Sequence, residues 1–226
     1  ECEYSGNNPF LDSGEYRVFR NYYGSFSNKV RRCLYKNLYQ SRLRYVTDLL
    51  HNLKSPDVLD AGCGLGSESL LFSFLGASVA GVDLNERRLK IAEKRKLFYR
   101  HLIKGKVKFV LGNVFEVIKK QKFDIVWMNE AISHIHPAED FLKLVYRQLN
   151  PGGRIVISEG NGSNPYILLQ RFLRTGHLSW TSHFVQRPGL HKEVGYAVER
   201  LFTCKQITNI LKEVGFFIGH LEFTPL

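Results

Sequence analysis

Two segments constrain the fold of this chain most: a glycine-containing stretch at 58–66, VLDAGCGLG, and an apolar run at 79–83, VAGVD. The first has the form of a buried β-strand followed by a turn whose glycines let the backbone approach a ligand. The second reads as the neighbouring strand and ends in a carboxylate, Asp83. The carboxyl ends of parallel strands share one edge of a sheet, so the two features indicate a pocket for a nucleoside-bearing cofactor.

Length and composition fit one α/β domain with additions. The chain has 226 residues, 44% of them hydrophobic, which is enough to bury a core. No apolar run approaches the roughly 20 residues of a membrane span, and no signal peptide is recognised. The four cysteines, at 2, 33, 63 and 204, lack the spacing of a zinc site or a disulfide framework. We therefore expect no metal and a cytoplasmic location.

Apolar runs alternate with helical stretches through the middle of the chain, which is typical of a parallel sheet covered on both faces. Strands are predicted at 58–60, 79–83, 107–111, 123–128 and 154–158. Helices are predicted at about 67–75, 86–103 and 138–149, the last closed by Asn150-Pro151-Gly152-Gly153.

Two segments lie outside this alternation. Residues 9–53 are aromatic and basic and are expected to form two or three helices across one end of the sheet. Residues 161–200 form a long connection after the fifth strand, a length usually kept for a lid or binding loop. We predict an N-terminal helical cap at 1–54 and a main domain at 55–226 that carries this lid. Substrate is expected to meet both segments, through Tyr22, Tyr23, Tyr166, Trp180 and His183.

The net charge of +11 is concentrated in one segment, because residues 86–122 contain 13 Lys and Arg against 3 Asp and Glu, a balance of +10. Two interpretations stay open. The segment is either a solvated helix face or a docking surface for phosphates, on RNA, an anionic lipid or a phosphorylated substrate.

Six stretches in order resemble the successive motifs of class I S-adenosylmethionine-dependent methyltransferases, in particular the small-molecule O- and C-methyltransferases of ubiquinone and menaquinone biosynthesis. They are VLDAGCGLG at 58–66, VDLN at 82–85, LGNVF at 111–115, FDIVWMNEAISHI at 123–135, LNPGGRIVISE at 149–159 and LFTCKQITNILKEVGF at 201–216. The resemblance covers roughly residues 55–222. It implies a Rossmann-like, doubly wound α/β sheet of about seven strands, with a helix at about 204–214 leading into a sixth strand at 216–223.

The resemblance also implies which residues bind S-adenosyl-L-methionine, with S-adenosyl-L-homocysteine as the product. The glycine loop would wrap the methionine end, Asp83 would accept from both ribose hydroxyls, and Asn113 would contact adenine where the family often has Asp. The full set is Asp60, Gly62, Cys63, Gly64, Gly66, Asp83, Leu84, Asn113, Val114 and Asn129. Other interpretations are an ordinary turn residue for Asn113, a helix cap for Asp83 or more readily Asn85, and a small buried residue rather than a nucleophile for Cys63.

A nicotinamide dinucleotide enzyme is the nearest competing interpretation, since G-x-G-x-x-G and a downstream acid define that fold as well. Here the third glycine of Gly62-Cys63-Gly64-Leu65-Gly66 comes one place early, and the turn LNPGGR before the fifth strand is foreign to such enzymes. Dinucleotide binding is therefore not expected.

Methyl transfer from a sulfonium requires the protein mainly to position the acceptor and, where the acceptor is protonated, to remove its proton. Candidate bases follow the fourth strand: His134, His136 and Glu130. A packing role for either histidine is the alternative. On the expected lid, His177, His183 and His191 are weaker candidates.

The predicted function is transfer of a methyl group to an oxygen or carbon of a small, aromatic or lipidic molecule. Residues 129–132, Asn-Glu-Ala-Ile, lack the Asn/Asp-Pro-Pro-aromatic turn of enzymes that methylate base nitrogens. Two alternatives stay open: an RNA-modifying methyltransferase that uses the basic segment, and a non-catalytic cofactor-binding module. Contact with an anionic surface stays possible, and the expected assembly is a monomer or a homodimer.

Overall fold

The computed structural model describes residues 10–23, 29–176, 183–185 and 197–223. Its centre is a five-stranded sheet in the order β3-β2-β1-β4-β5, with every neighbouring pair parallel. The strands are β1 (Asp57–Ala61), β2 (Ser78–Asp83), β3 (Lys106–Leu111), β4 (Phe123–Asn129) and β5 (Leu149–Ser158). All five predicted strands are confirmed. The strand order reverses between β1 and β4, and a crevice opens at the carboxyl ends of strands at such a switch point.

Burial explains the strand order. Val58, Leu59 and Ala61 of β1 are fully buried, as a central parallel strand covered on both faces requires. In β3, by contrast, Lys106 and Lys108 are exposed, as expected of an edge strand.

Eight α-helices occur within the described residues: α1 (Ser13–Tyr22), α2 (Lys29–His51), α3 (Ser67–Phe74), α4 (Glu86–Phe98), α5 (Val114–Ile118), α6 (Ala138–Gln148), α7 (Pro165–Thr175) and α8 (Cys204–Val214). The three helices predicted between the strands are found as α3, α4 and α6, and the helix implied near 204–214 is found as α8. Helix α4 is shorter than predicted and is followed by a 3-10 turn at Arg100–Leu102. Asn85 caps it, because its side chain accepts from Arg88 N at 3.1 Å.

Two hydrophobic clusters cover the two faces of the sheet. On one face, Phe123 and Met128 pack with Phe141 and Leu142 of α6. On the other, Trp127 packs with Phe72 of α3 and with α2. The Trp127 side chain is fully buried, and its Nε1 has no hydrogen-bond partner within the described part of the chain.

The expected sixth strand at 216–223 is not found, so the described sheet has five strands rather than about seven. Phe216 and Ile218 pack on the core behind α8, which holds the segment in place without a ladder. Residues of this segment and of β5 line the same cavity of about 840 Å³ and do not pair as strands. A strand needs a hydrogen-bonding neighbour, and none of the described segments supplies one here.

The N-terminal segment contains the two helices α1 and α2, within the predicted two or three. After β5, the described residues of the predicted lid form α7 and a two-stranded antiparallel ribbon, β6 (His183–Val185) with β7 (Ala197–Glu199). Trp180, His177 and His191 lie outside the described residues. Within the described ranges, no helix combines the length and apolar character that crossing a membrane requires.

Candidate cofactor and acceptor site

The loop between β1 and α3 adopts a conformation that favours glycine. Gly62, Gly64 and Gly66 have φ angles of 84°, 54° and 74°. A Cβ added at Gly66 would lie 2.5 Å from Cζ of Phe109 on β3, so the loop packs too closely there for any side chain. Cys63 and Gly62 both donate their backbone N–H to Val82 O, at 3.0 and 2.8 Å, which ties the loop to β2.

Asp83 lies against this loop, as the sequence predicts. Its Oδ2 accepts from Gly64 N at 2.9 Å and its Oδ1 accepts from Asn85 N at 2.7 Å. A carboxylate has about four lone-pair sites, so two acceptor positions stay available. The structure therefore brings together the glycine loop and an acceptor suited to a vicinal diol.

A buried carboxyl group, Asp60, lies beneath the loop. Ser69 Oγ donates to its Oδ2 at 2.5 Å. Burial raises the pKa of Asp60 to about 8, and the neighbouring Glu68 adds to the rise. Burial also raises the pKa of Glu68 itself and of the Cys63 thiol above their usual ranges. Cys63 is thus a buried neutral thiol, in agreement with its interpretation as a small core residue.

A polar network joins the loop to the tip of β4. Asn129 Nδ2 donates to Glu68 Oε1 at 3.1 Å, and Arg42 NH1 of α2 donates to Asn129 Oδ1 at 3.4 Å. Arg42 also pairs with Glu130 at 2.9 Å. Sequence reasoning missed Glu68 and Arg42. Glu68 could have been found as an acid in the first turn after the loop, whereas Arg42 gave no local signal because it is 87 positions from Asn129.

Asn113, Val114 and Leu84 are the residues predicted to lie at the adenine of the cofactor. Asn113 caps α5, since its Oδ1 accepts from Phe115 N at 3.0 Å, which is the turn role considered as its alternative. Val114 is the first residue of that helix, and Leu84 follows Asp83 in a half-buried position. The contact of Asn113, Val114 and Leu84 with adenine stays a prediction.

The three candidate bases follow β4 at the same edge of the sheet. Glu130 is exposed, has a φ of 50° and is ion-paired with Arg42. His134 ends the 3-10 turn Ile132–His134, and both it and His136 are exposed. All three thus lie just beyond the carboxyl end of β4, and their role in proton transfer stays a prediction.

Two predicted substrate residues, Tyr22 and Tyr23, lie at the glycine loop. A Cβ added at Gly64 would be 2.5 Å from the Tyr22 hydroxyl, so this ring stands directly over the loop. The Arg88 guanidinium lies 5.1 Å from the centre of the Tyr22 ring, and the Tyr23 hydroxyl hydrogen-bonds to Ser67 Oγ. Burial raises the pKa of the Tyr23 phenol. The other two described candidates lie after β5: exposed Tyr166 on α7 and His183 on β6.

Sequence reasoning also missed Glu159, a half-buried acid directly after β5. Its Oε2 accepts from Ser133 N at 3.3 Å and its Oε1 from Gly160 N at 3.2 Å. Burial raises the pKa of this carboxyl to about 7. An acid at the carboxyl end of a predicted central strand was the available signal.

The basic segment is largely a solvated surface. Four of its lysines pair with carboxylates at 2.6–3.1 Å: Lys90 with Glu86, Lys94 with Glu15, Lys96 with Glu93 and Lys119 with Glu116. Lys106 begins β3 and therefore lies at the amino ends of the strands, whereas the glycine loop lies at their carboxyl ends. This distribution supports the solvated-face interpretation over a nucleic-acid surface at the site.

Comparison with known proteins gives matches over the same region. A family model described as a methyltransferase domain matches residues 59–157. The mitochondrial ubiquinone biosynthesis O-methyltransferase of Schizosaccharomyces pombe is 26% identical over 194 residues, which are 82% of this chain and 66% of that protein. The Rattus norvegicus mitochondrial protein of that name is 32% identical over 111 residues, 48% of this chain and 32% of its own length. The chain thus spans about one third to two thirds of these curated relatives.

Solved structures share the fold. Magnesium protoporphyrin IX methyltransferase from Synechocystis PCC 6803, solved with bound S-adenosylhomocysteine, superposes with a TM-score of 0.62 at 20% identity, covering 88% of this chain and 84% of that one. A SAM-dependent methyltransferase from Archaeoglobus fulgidus gives 0.57 at 23% identity, covering 80% and 69%. Strand order, loop conformation and the matched residues agree: the chain has the fold of class I S-adenosylmethionine-dependent methyltransferases, and its residues 59–157 match a methyltransferase domain.

Proposed function

We propose that this chain binds S-adenosylmethionine at the glycine loop and transfers its methyl group to an oxygen or carbon of a small, aromatic or lipidic molecule. The observation that carries the proposal is the Asp83 carboxylate held against Gly64 N at 2.9 Å, in the loop that follows β1; β1 is one of the two strands between which the strand order reverses. The cofactor supplies an electrophilic methyl group on a good leaving group. The printed names of the relatives, which are O-methyltransferases, favour a hydroxyl acceptor.

The donor and acceptor groups at the loop fit this cofactor. The spare lone pairs of Asp83 suit the two ribose hydroxyls. Beside the loop the Asp60 carboxyl group is buried and the Glu68 carboxyl group is half-buried, and loss of solvent raises the pKa of both, so added positive charge would favour their ionised forms. A ligand that brings a sulfonium and an ammonium group would supply that charge.

The acceptor is proposed to bind over the carboxyl ends of β4 and β5, between the N-terminal helical cap at 1–54 and the inserted lid at 161–200. Tyr22 and Tyr23 support this placement because both lie at the loop. Tyr166, Trp180 and His183 complete the predicted set on the lid. His134, His136 and Glu130 stay candidate bases, and replacing His134 by Ala should lower turnover with little change in cofactor affinity.

The RNA alternative is not favoured. The names of the relatives reported above are those of small-molecule enzymes, and four of the 13 basic side chains of the segment already pair with carboxylates. A non-catalytic cofactor-binding role is separated by the experiment below. The monomer or homodimer state and the cytoplasmic location stay predictions.

Thermal unfolding with and without S-adenosylhomocysteine tests cofactor binding. At a hundred times its dissociation constant the ligand should add about 2.7 kcal/mol of stability, and NAD should add none. Labelled S-adenosylmethionine incubated with small-molecule extracts should then yield a labelled organic product. Stabilisation without any product in such extracts would favour the non-catalytic module, and stabilisation by NAD alone would contradict the proposal.

A further inference from the structure

Glu159 is a half-buried carboxyl group whose hydrogen-bond donors, Ser133 N and Gly160 N, do not belong to the glycine loop. Its neighbour Ser158 is paired in register with Asn129 at the end of β4, and Glu130 N donates to Ser158 O at 2.8 Å. Neighbouring strands lie about 4.8 Å apart, so the backbone of Glu159 lies beside the tip of β4. The acid therefore lies at the edge of the sheet toward which the glycine loop also projects.

Two backbone N–H groups fix the position of the Glu159 carboxyl group, and its oxygens can still accept further hydrogen bonds. Ser133 N and Gly160 N each donate to a different oxygen, at 3.3 and 3.2 Å. An ionised carboxylate accepts about four hydrogen bonds, so each oxygen keeps capacity for another donor. Ser133 belongs to the 3-10 turn after β4, and that turn fixes the position of the acid relative to β4.

Glu159 also borders open space. It lines the cavity of about 840 Å³ beside β5, together with Arg42 and Tyr45 of α2. The Tyr45 ring stacks on His220 with ring centres 4.8 Å apart. An acid, an aromatic ring and a guanidinium that line the same cavity suit a flat acceptor that carries a hydroxyl group.

The electrostatics around Glu159 suit proton transfer near neutral pH. Burial raises its pKa to about 7 and the Glu130 carboxylate adds to the rise, while the Ser133 and Gly160 N–H groups oppose it. The other charged or titratable groups on the surrounding elements are Arg42, paired with Glu130 at 2.9 Å, Arg200, paired with Glu139 at 3.8 Å, and the exposed His134 and His136. A base whose pKa lies near the working pH combines an ionised form with useful basicity.

We propose that Glu159 removes the proton of a hydroxyl-bearing aromatic acceptor, an inference that rests on the proposed methyl-transfer function. As the acceptor oxygen bonds to the methyl carbon, the carbon–sulfur bond breaks and its electron pair passes to sulfur. The hydroxyl proton moves to a carboxylate oxygen of Glu159, which later releases it to solvent. Glu130 is less suited to this role, because it is exposed and already paired with Arg42.

Three variants test this assignment in protein saturated with S-adenosylhomocysteine or S-adenosylmethionine, with catechol as the probe acceptor. Glu159→Gln keeps the shape and removes the base, Glu159→Asp keeps a carboxylate, and Glu139→Gln is a matched control at a nearby acid outside the site. Infrared difference spectra of wild type against Glu159→Gln should show one carboxyl group that titrates near neutral pH. Turnover of catechol should fall about 100-fold in Glu159→Gln and lose its acidic pH limb. Glu159→Asp should recover part of the rate, and Glu139→Gln should match wild type.

Several results would overturn the assignment. They are unchanged turnover in Glu159→Gln, a carboxyl that stays ionised across the acidic range, and a loss in Glu139→Gln equal to that in Glu159→Gln. Wild-type protein that binds S-adenosylhomocysteine but neither binds nor methylates catechol would count against a hydroxyl acceptor at Glu159. Failure to bind S-adenosylhomocysteine at all would instead contradict the proposed function.

Discussion

The two halves of the sheet differ in how far apart in sequence the residues are that make contacts at the carboxyl ends of their strands. In the half built from β3, β2 and β1, two contacts of the glycine loop and β1 join residues close in sequence, Ser69 to Asp60 over 9 positions and Gly64 to Asp83 over 19, although Tyr23 also reaches Ser67 over 44. In the half built from β4 and β5, Arg42 reaches Glu130 over 88 positions, and β5 borders a cavity rather than another strand. Contacts between residues near one another in sequence therefore hold Asp60 and Asp83 in the cofactor half, whereas the polar contacts of the acceptor half join distant segments.

The largest effect is expected at Gly66, in the cofactor half. Gly66→Ala combines a positive φ of 74° with a Cβ that would lie 2.5 Å from the Phe109 ring, and should destabilise the protein by about 3 kcal/mol. Gly152→Ala is the matched control, because its φ is 78° but nothing lies within 4 Å, and should cost about 1 kcal/mol. Urea unfolding measures both. Equal losses would show that close packing of the loop on β3 has little energetic weight.

A smaller loss is expected at Asp83. Asp83→Asn removes a charged acceptor that binds Gly64 N and is predicted to bind the ribose, so affinity for S-adenosylhomocysteine should fall about 30-fold, or about 2 kcal/mol. Asp124→Asn is the control, since Asp124 also accepts two hydrogen bonds, at 2.8 Å each, but lies at the start of β4. Calorimetric titration should show a change only in Asp83→Asn. A similar loss in both variants would mean that the effect is general destabilisation.

The third prediction concerns pH. The pKa of Asp60 is about 8 in the folded state against about 3.9 unfolded, so the folded state binds the extra proton between these values. Its contribution to stability is complete below the unfolded pKa and declines as the pH rises toward 8. Without ligand, the free energy of unfolding should fall by about 1 kcal/mol between roughly pH 6.5 and 7.5. Asp60→Asn should lack that part of the slope in denaturant titrations, and an identical slope would refute the assignment.

The smallest effect is expected in the acceptor half, at Arg42. Its ion pair with Glu130 is partly exposed, so Arg42→Gln should cost about 0.5 kcal/mol and leave S-adenosylhomocysteine affinity nearly unchanged. Arg44→Gln, two residues along α2, breaks a longer contact of 3.7 Å to Glu222 and serves as the control with no measurable change. If Arg42→Gln weakened cofactor binding as strongly as Asp83→Asn, the division between the two halves would not hold.

Particular residues show how far sequence could predict this molecule. The five strands, the cap residue Asn85 and the approach of Asp83 to the glycine loop follow from apolar periodicity and turn chemistry, which act over short distances. The sixth strand could not be judged from its apolar residues, because a strand exists only where a neighbour pairs with it. Arg42 and Glu159 owe their roles to tertiary contacts that bring α2 and the turn after β4 to the same edge. Asn113 was assigned to adenine by resemblance, whereas its observed contact is a helix cap.

The position of Tyr22 over Gly64 has a kinetic consequence. Helix α1, which carries this ring, is fastened to α4 by the Glu15–Lys94 pair at 2.6 Å and by the stacking of Arg88 on the ring. A ligand bound along the backbone of Gly64 would lie close to the Tyr22 hydroxyl, so we expect its binding and release to require movement of α1. We therefore expect the residence time of a ligand at the loop to depend on the contacts between α1 and α4, since Tyr22 lies more than forty residues before Gly64.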